Sequence, residues 1–271
     1  MRKNAHARRA GLALLLLVAL PFPAYAEGPP AADRWTFGIQ PYLWLPSLSG
    51  DLTYSAPGGS PSVDVSSDTL LDELNFAFMF NAEARKGRWA IVMDFITLDV
   101  GGDKSNVESV DFSGVPVTVS GSASVDLEGV AWALAGSYTV ARSATSSLDV
   151  LLGLRYFTID ITTDYNLSAD IPGQTFARTG SIKQSEDLWD GIIGVRGRIG
   201  LGSGKWGIPY YLDVGTGSST FTWQGAVGIG YQWSWIDLNL VYRYLYYDME
   251  SGKLLQNFSF YGPALGVNFR F

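Results

Sequence analysis

The last segment of the chain, Ser259–Phe271 (SFYGPALGVNFRF), alternates between large apolar residues and small or polar ones. The large residues on one face are Tyr261, Leu265, Val267, Phe269 and Phe271. The residues on the other face are Gly262, Ala264, Gly266, Asn268 and Arg270. Because successive side chains of a β-strand point to opposite sides, this pattern predicts a strand with one apolar and one polar face.

Nine other segments repeat the two-residue period over about ten residues each, separated by clusters of Gly, Ser, Asp and Pro. They are Arg34–Trp44, Leu74–Arg85, Trp89–Val100, Val125–Val140, Leu148–Ile161, Asp187–Gly200, Trp206–Thr216, Thr220–Trp233 and Ile236–Tyr247. A tilted strand of about ten residues can cross a bilayer. The connections alternate between short and mostly long, the long ones being Leu45–Glu73, Gly101–Ser124, Thr162–Glu186 and Asp248–Gln256. Together these features predict an all-β, antiparallel, up-and-down transmembrane barrel of about ten strands.

Two shorter alternating segments leave the number of strands open. Ser62–Ser66 (SVDVS) and Val115–Val119 (VPVTV) lie within predicted long loops. They either extend neighbouring strands or form additional hairpins, so barrels of eight and of twelve strands are the alternatives.

The polar face carries six acidic and six basic residues, which we predict to form a charge network inside the lumen. They are Glu83, Asp94, Asp149, Asp190, Asp213, Asp237, Arg85, Arg155, Arg196, Arg198, Arg243 and Arg270. An unpaired buried charge costs several kcal/mol, so these residues cannot lie in an apolar core. A membrane barrel accommodates them, since lipid contacts the apolar face while the charges pair inside.

Aromatic residues near the predicted strand ends would form two interfacial girdles. They are Trp35, Trp89, Trp206, Trp235, Tyr42, Tyr156, Trp189 and Tyr246. The alternative architecture is an exported soluble β-sandwich or lipocalin-like barrel, in which two apolar faces cover each other.

The N-terminal residues 1–26 have the features of a cleaved export signal. Arg2, Lys3, Arg8 and Arg9 precede an apolar run from Leu12 to Leu20, and Ala24-Tyr25-Ala26 matches the small-x-small cleavage pattern. The run is too short to span a bilayer, which takes about 20 residues. We predict a signal peptide over 1–26, a linker over 27–33 and the barrel domain over 34–271.

Composition excludes several functional classes. The 271 residues include no cysteine, which excludes disulfides and thiolate metal sites. The net charge of −7 argues against nucleic acid as a partner. Charged residues make up 17% and aromatic residues 14% of the chain, which is the reverse of the composition of disordered chains.

The chain resembles the outer-membrane β-barrels of Gram-negative bacteria. The resemblance rests on the export signal, the ten alternating segments and the final strand. This strand ends in Phe, as the last strand of proteins of that family usually does. It implies a bacterial outer-membrane location, with lipid and lipopolysaccharide as partners. It also implies that the barrel-assembly machinery recognises the last strand through Leu265, Val267, Phe269 and Phe271.

Enzymatic activity is not expected. The barrel enzymes of the resembled family use histidine, whose free pKa suits proton transfer near neutral pH. The only histidine of this chain is His6, within the predicted signal peptide. No catalytic residue and no cofactor is therefore predicted, and the pair Asp248 and Glu250 is interpreted as solvated loop charge.

The lumen of a ten-stranded barrel is intermediate in width. Side chains just fill the interior of a barrel of about eight strands, whereas barrels of about 16–18 strands leave an aqueous channel. Small residues at lumen positions would provide space: Gly129, Ala131, Gly194, Gly215, Gly228, Gly230 and Gly266. We predict that the charge network largely plugs this space, giving a structural role or narrow passage for solutes or ions. Removing the charges of Arg196 and Arg198 is then expected to raise conductance.

The alternative function is ligand binding or adhesion through the long outer loops 45–73, 101–124 and 162–186, since loops commonly carry function. The first of these loops is acidic, with Asp64, Asp68, Asp72 and Glu73 and no basic residue. Its carboxylates do not have the ligand spacing of a dedicated calcium site. Divalent cations bridging them to lipopolysaccharide phosphates are expected as weak partners.

Overall fold

The computed structural model describes residues 34–52, 62–65, 67–107, 118–171, 174–249 and 255–271. These residues form twelve β-strands and one short helix: β1 (Trp35–Trp44), β2 (Ser47–Leu52), β3 (Ser62–Val65), α1 (Ser67–Asp72), β4 (Leu74–Lys86), β5 (Trp89–Val107), β6 (Thr118–Arg142), β7 (Ser147–Ile171), β8 (Gln174–Leu201), β9 (Trp206–Gly217), β10 (Phe221–Gln232), β11 (Ile236–Asp248) and β12 (Leu255–Arg270). The predicted signal peptide 1–26 and linker 27–33 lie outside the described residues.

Ten of the strands close into an antiparallel barrel, as predicted. β4 to β12 pair in chain order, and β1 pairs with both β4 and β12. Gly38 lies opposite Arg270 on one side of β1 and opposite Glu83 on the other. Closure leaves no unpaired edge around the wall, which is the requirement for a β-structure in lipid.

The segment Ser62–Val65 extends the wall and does not add an eleventh strand to it. After Pro46, the chain continues along the same edge of β12, where Ser47 of β2 lies opposite Tyr261. β3 then pairs with β2, with Val65 opposite Leu48. The first predicted long loop, 45–73, therefore contains a two-stranded extension followed by α1.

Two other predicted loops are mostly strand, and this part of the prediction is wrong. β6, β7 and β8 are 25, 25 and 28 residues long, and β7 pairs with β8 as far as Ile171 opposite Gln174. Residues 101–107 and 118–124 likewise belong to β5 and β6. In the sequence, these polar segments rich in Ser and Thr are typical of loops. In the structure they are strands, because continuous pairing with a neighbouring strand satisfies their backbone hydrogen bonds.

The outer surface is apolar and bounded by two belts of aromatic rings. Near the short turns, Trp206 packs on Tyr231 and Trp89 on Tyr138, with centroid distances of 4.9 and 4.7 Å. Toward the long hairpins, Trp223 stacks on Tyr244 at 4.8 Å. Trp223 and Tyr231 lie eight residues apart on β10, or about 27 Å of strand. Allowing for strand tilt, this is close to the height of the apolar band of outer-membrane barrels, about 25 Å.

Most predicted girdle residues lie on this outer surface. Five tryptophans are half or more exposed there: Trp35, Trp89, Trp189, Trp206 and Trp235. The assignment of Tyr42 to the girdle is wrong, because its hydroxyl donates to Asp94 inside the lumen. Among the described residues, the structure contains no helix long and apolar enough to cross a membrane.

Candidate functional site: the lumen of the barrel

The lumen is divided into zones along the barrel axis. We call the end with the short turns, where β1 starts and β12 ends, the mouth. At the mouth, Arg270 pairs with Asp237 at 3.0 Å, and Asn268 donates to the same carboxylate at 3.1 Å. Arg198 also lies at this end, where it donates to the backbone carbonyls of Gly204 and Lys205 at 3.0 and 2.9 Å.

Next to the mouth lies a group of four charged residues, Glu83, Arg85, Asp149 and Arg196, which we call the mouth-side cluster. Arg85 on β4 pairs with Glu83 at 2.6 Å and with Asp149 on β7 at 2.5 Å. Arg196 on β8 pairs with Glu83 and lies 3.6 Å from Asp149. Arg85 also donates to Thr139 at 2.6 Å. Each carboxylate thus contacts two guanidinium groups, which balances the charge of the cluster.

Farther in, a second set spans the lumen, and we call it the inner cluster: Tyr42, Asp94, Arg155, Asp213, Gln224 and Arg243. Arg243 donates to Asp94 at 2.6 Å, to Tyr42 at 2.9 Å and to Gln224 at 2.9 Å. Gln224 also accepts from Arg155 at 3.4 Å, and Arg155 pairs with Asp213. Six strands, β1, β5, β7, β9, β10 and β11, contribute to this connected set.

Beyond the inner cluster, the lumen is filled by apolar side chains, which we call the apolar layer. Its members include Trp44, Phe157, Leu188, Tyr247 and Phe258, each 6% exposed or less. Tyr247 stacks on Phe258 with ring centroids 4.8 Å apart. The layer joins the inner cluster through Arg243, whose guanidinium lies 4.7 Å from the ring centroid of Trp44. Such a layer excludes water from that part of the lumen.

A cavity of about 660 Å³, here called the chamber, occupies the lumen between the mouth and the inner cluster. It is bounded by Arg34, Phe271 and Arg270 at the mouth and by Tyr42, Asp94, Gln224 and Arg243 at its inner end. Small side chains on the wall leave the space, among them Ala133, Ala226 and Gly266. The buried aromatic residues of the apolar layer do not line the chamber: Trp44, Phe157, Tyr247 and Phe258. The chamber therefore ends at the inner cluster.

Ten of the twelve predicted lumen charges form ion pairs with one another. These are Glu83, Arg85, Asp94, Asp149, Arg155, Arg196, Asp213, Asp237, Arg243 and Arg270. Asp190 and Arg198 differ from the prediction. Asp190 accepts hydrogen bonds from the backbone N and the hydroxyl of Ser219 at 2.9 and 2.7 Å, so it anchors the turn between β9 and β10. Arg198 anchors the turn between β8 and β9, as described above.

The sequence analysis did not identify the apolar layer. Its signal is nevertheless present, as large apolar residues on the polar parity of the strands. Met79 shares the parity of Asn81 and Glu83, and Phe157 shares the parity of Arg155. These large apolar residues interrupt the alternation toward the long-hairpin end of each strand, where apolar side chains fill the lumen.

The four residues of the predicted assembly signal lie on the outer face of β12 or at its end. Leu265 is 50% and Phe271 71% exposed, and Phe269 packs against Trp235. Phe271 also exchanges two backbone hydrogen bonds with Phe37, of 2.9 and 3.0 Å. The last residue therefore takes part in closing the barrel between β12 and β1.

Within the ranges that the structure describes, no three His, Cys, Asp or Glu side chains come together as a metal site. The side chains of Asp64 and Asp68 lie outside the described residues. Binding of divalent cations by the acidic loop therefore stays a prediction.

Comparison with solved structures bears on the fold. The chain is similar to the outer membrane protease OmpT from Escherichia coli, with a TM-score of 0.52 and 9% identity over 90% of this chain and 99% of that one. This is an outer-membrane β-barrel fold. Weaker likenesses are to the translocator domain of the autotransporter NalP from Neisseria meningitidis (TM-score 0.36, 14% identity, 90% of each chain) and to Ail, the attachment invasion locus protein of Yersinia pestis (TM-score 0.35, 10% identity, 88% of this chain and 98% of that one). No protein-family model and no curated protein matches the chain.

Proposed function

We propose that the chain is an integral protein of the bacterial outer membrane with a closed lumen, in which the chamber serves as a binding site that opens toward the periplasm. The short turns of such barrels face the periplasm and the longer hairpins face outward, so the mouth is the periplasmic end. Supporting observations are the apolar outer face, its two aromatic belts and the closed ring of ten strands.

The observation that carries this proposal is the pair of barriers at the inner end of the chamber. The inner cluster joins six strands across the lumen, and the apolar layer fills the lumen behind it. An ion that crossed would have to displace the buried Arg155–Asp213 pair and then lose its hydration among aromatic rings. Desolvating a charge in an apolar environment costs several kcal/mol even after relaxation. A closed barrel with a one-sided chamber fits this arrangement better than the narrow passage that the sequence also allows.

An enzymatic role has little support in the arrangement of the lumen. The protease OmpT shares the fold at 9% identity, which says nothing about shared chemistry. The one histidine in the sequence is His6, which lies in the predicted signal peptide. Ten of the twelve predicted lumen charges are engaged in ion pairs, and the other two, Asp190 and Arg198, hold turns. We therefore keep the prediction that the protein is not an enzyme.

The proposal is tested by electrophoresis with and without boiling, followed by planar-bilayer recording on the purified protein. We expect the unboiled protein to migrate differently from the boiled one, because closed barrels resist detergent until heated. We expect few or no stable currents after insertion. Large, stable unitary currents from the unaltered protein would overturn the closed lumen, and recovery of the processed protein in detergent-free periplasmic extract would overturn the membrane location.

A second candidate function is surface binding by the long hairpins. It is favoured by the length of β7 and β8, which have 25 and 28 residues, whereas about 9–11 residues span a membrane. Because β9 pairs with β8 only as far as Asp190 opposite Gly217, the outer half of β8 extends beyond its neighbour as part of a projecting sheet. We infer that this sheet is the surface available to an extracellular ligand.

A further inference from the structure

We propose that the chamber binds a small, neutral, hydroxyl-rich molecule, on the scale of one or two sugar rings. This inference rests on the proposed closed lumen with its periplasmic mouth, and it adds the chemical class of the ligand. Its evidence is the size of the chamber, the polar groups that line it and the way their charges are compensated.

The size of the chamber suits a small molecule. Its volume of about 660 Å³ lies within the range of about 300–1,000 Å³ that is typical of small-molecule sites. It is closed at the inner cluster and open at the mouth, so a ligand that enters is enclosed by the wall on all other sides. A filled lumen would leave no such space, and an open pore would not retain the ligand.

The lining is rich in side-chain amides. Five carboxamides line the chamber: Gln40, Asn81, Gln224, Asn239 and Asn268. A carboxamide has two N–H donors and an oxygen with two lone pairs, and a hydroxyl group likewise both donates and accepts. The only bond between two of them is from Asn239 to Gln40, at 3.3 Å, among the bonds described for this part of the chain. This bond uses one of the four hydrogen-bonding positions of each group.

Apart from Arg34 at the mouth, the lining charges are compensated locally, which argues against a strongly charged ligand. Arg85 and Arg196 share the carboxylate of Glu83. Arg243 is held by Asp94 at 2.6 Å, and Arg270 by Asp237 at 3.0 Å. A ligand with several charges would have to break these pairs, and an unpaired charge in the lumen is costly. A neutral ligand leaves every pair in place.

The test is isothermal titration of the folded barrel with maltose, in a detergent that has no sugar headgroup. Citrate and toluene serve as charged and apolar comparison probes. We expect saturable binding of maltose. Ala133→Phe, which places a ring in the chamber, should weaken binding at least tenfold, whereas Leu134→Phe on the adjacent outward-facing position should leave it unchanged. Ala133 lines the chamber and Leu134 is 46% exposed on the lipid face.

A second variant guards against misfolding of the first. Asn239→Leu keeps the branched shape of the side chain and removes one carboxamide, and we expect it to weaken maltose binding at least tenfold. The heat-dependent mobility of each variant shows that it is folded before it is titrated. Binding of citrate or toluene in preference to maltose, or binding that survives both chamber substitutions, would overturn the inference.

The two proposals fail separately. If maltose does not bind and bilayer recordings are silent, the ligand class is wrong and the closed lumen stands. If the protein conducts stably and maltose blocks the current, the closed lumen is wrong and the ligand class stands.

Discussion

Arg196 on β8 pairs with Glu83 on β4, although four strand-to-strand steps separate β4 from β8 around the wall. The contact therefore reaches across the lumen and not along it. Arg85, which lies two residues after Glu83, extends the connection to Asp149 on β7 at 2.5 Å. The mouth-side cluster thus ties nearly opposite parts of the wall together, while the chamber passes beside it.

We predict that Arg196→Gln alone does not open the barrel. The sequence suggested that removing this charge would raise conductance, but the inner cluster and the apolar layer lie behind it. Planar-bilayer recording should show currents as low as those of the unaltered protein. The same holds for Arg198→Gln, because Arg198 binds the carbonyls of a turn and not the charges of the lumen. Stable currents from Arg196→Gln would show that the mouth-side cluster is the main barrier, and stable currents from Arg198→Gln would place the barrier at the turn between β8 and β9.

Opening is expected only when both inner barriers are reduced together. We predict that Asp94→Ala and Arg243→Ala combined with Tyr247→Ala produce measurable currents. Removing both members of the ion pair avoids leaving an unpaired charge, and removing Tyr247 opens the apolar layer where its ring stacks on Phe258. The charge-pair double variant and the Tyr247→Ala single variant are the controls, and both should remain silent. Silence of the triple variant, with heat-dependent mobility retained, would contradict the two-barrier arrangement.

The buried pair of Arg155 and Asp213 should dominate stability. Their side chains are 3% and 0% exposed, so removing one partner leaves an uncompensated buried charge. We predict that Arg155→Met lowers the free energy of unfolding by about 3–5 kcal/mol. Urea-dependent unfolding in detergent or lipid vesicles measures it. The double variant Arg155→Met with Asp213→Leu should recover much of the loss, because replacing both charges by apolar groups is often neutral.

The matched control for this prediction lies at the mouth. Arg270→Met removes a similar ion pair with Asp237, but the Arg270 side chain is 40% exposed. The Asp237 side chain is 9% exposed but keeps the hydrogen bond from Asn268, and pairs with an exposed partner contribute less than fully buried ones, so the unfolding midpoint should change less than in Arg155→Met. A loss as large as that of Arg155→Met would mean that burial does not decide the strength of these pairs.

The fold could be predicted from the sequence because lipid imposes a strict rule on each strand. Every outward position in the membrane must be apolar, so the alternation is continuous where the wall meets lipid, as along Trp35, Phe37 and Ile39. The same alternation also predicted that the charged residues face the lumen, because they lie on the strand face opposite the apolar residues. The partners within the network did not, because Arg196 and Glu83 lie 113 positions apart and meet only through barrel closure.

The outer strands and the apolar layer could not be predicted from the same signal. Above the membrane no lipid contacts the wall, so the alternation weakens and residues 162–171 resemble a loop although they belong to β7. The layer depends on side chains such as Phe157 and Leu188, which come together from separate strands. Tyr42 shows the same limit, since its position near a strand end did not reveal that its hydroxyl binds Asp94.

The glycines of the barrel wall differ in what they provide, and one on the lumen side, Gly194, and one on the outer side, Gly136, test this. At Gly194, an added Cβ would lie 2.3 Å from the carbonyl O of Leu212 and 2.7 Å from Cβ of Asp213. At Gly136, the nearest atom would be 3.9 Å away. We predict that Gly194→Ala lowers the folded fraction in a refolding assay scored by heat-dependent mobility, whereas Gly136→Ala does not. Equal folding of the two variants would show that Gly194 leaves free space, as the sequence suggested, and not a tight contact between strands.

The projecting hairpin of β7 and β8 should be separable from the barrel. We predict that replacing residues 166–179 by a two-residue turn leaves the heat-dependent mobility and the bilayer currents unchanged. In the unaltered protein Tyr165 lies opposite Gly180, so the new turn would join two residues that are already paired. If the protein binds an extracellular ligand, this variant should lose that binding while staying inserted. A shortened protein that fails to fold would show that the outer sheet is part of the barrel's stability and not a separable surface.

The aromatic ring of Phe271 and its backbone should have different roles. The ring is 71% exposed, whereas the backbone N and O bond to Phe37 at 2.9 and 3.0 Å. We predict that Phe271→Ala refolds in detergent as well as the unaltered protein, because those two backbone bonds remain. In cells, the same variant should reach the outer membrane in lower yield if the assembly machinery reads the ring. Deleting Phe271 removes the ring and both bonds, so it should impair refolding as well. Normal yield of Phe271→Ala in cells would argue against the assembly signal, and poor refolding of that variant in detergent would instead assign the ring a structural role.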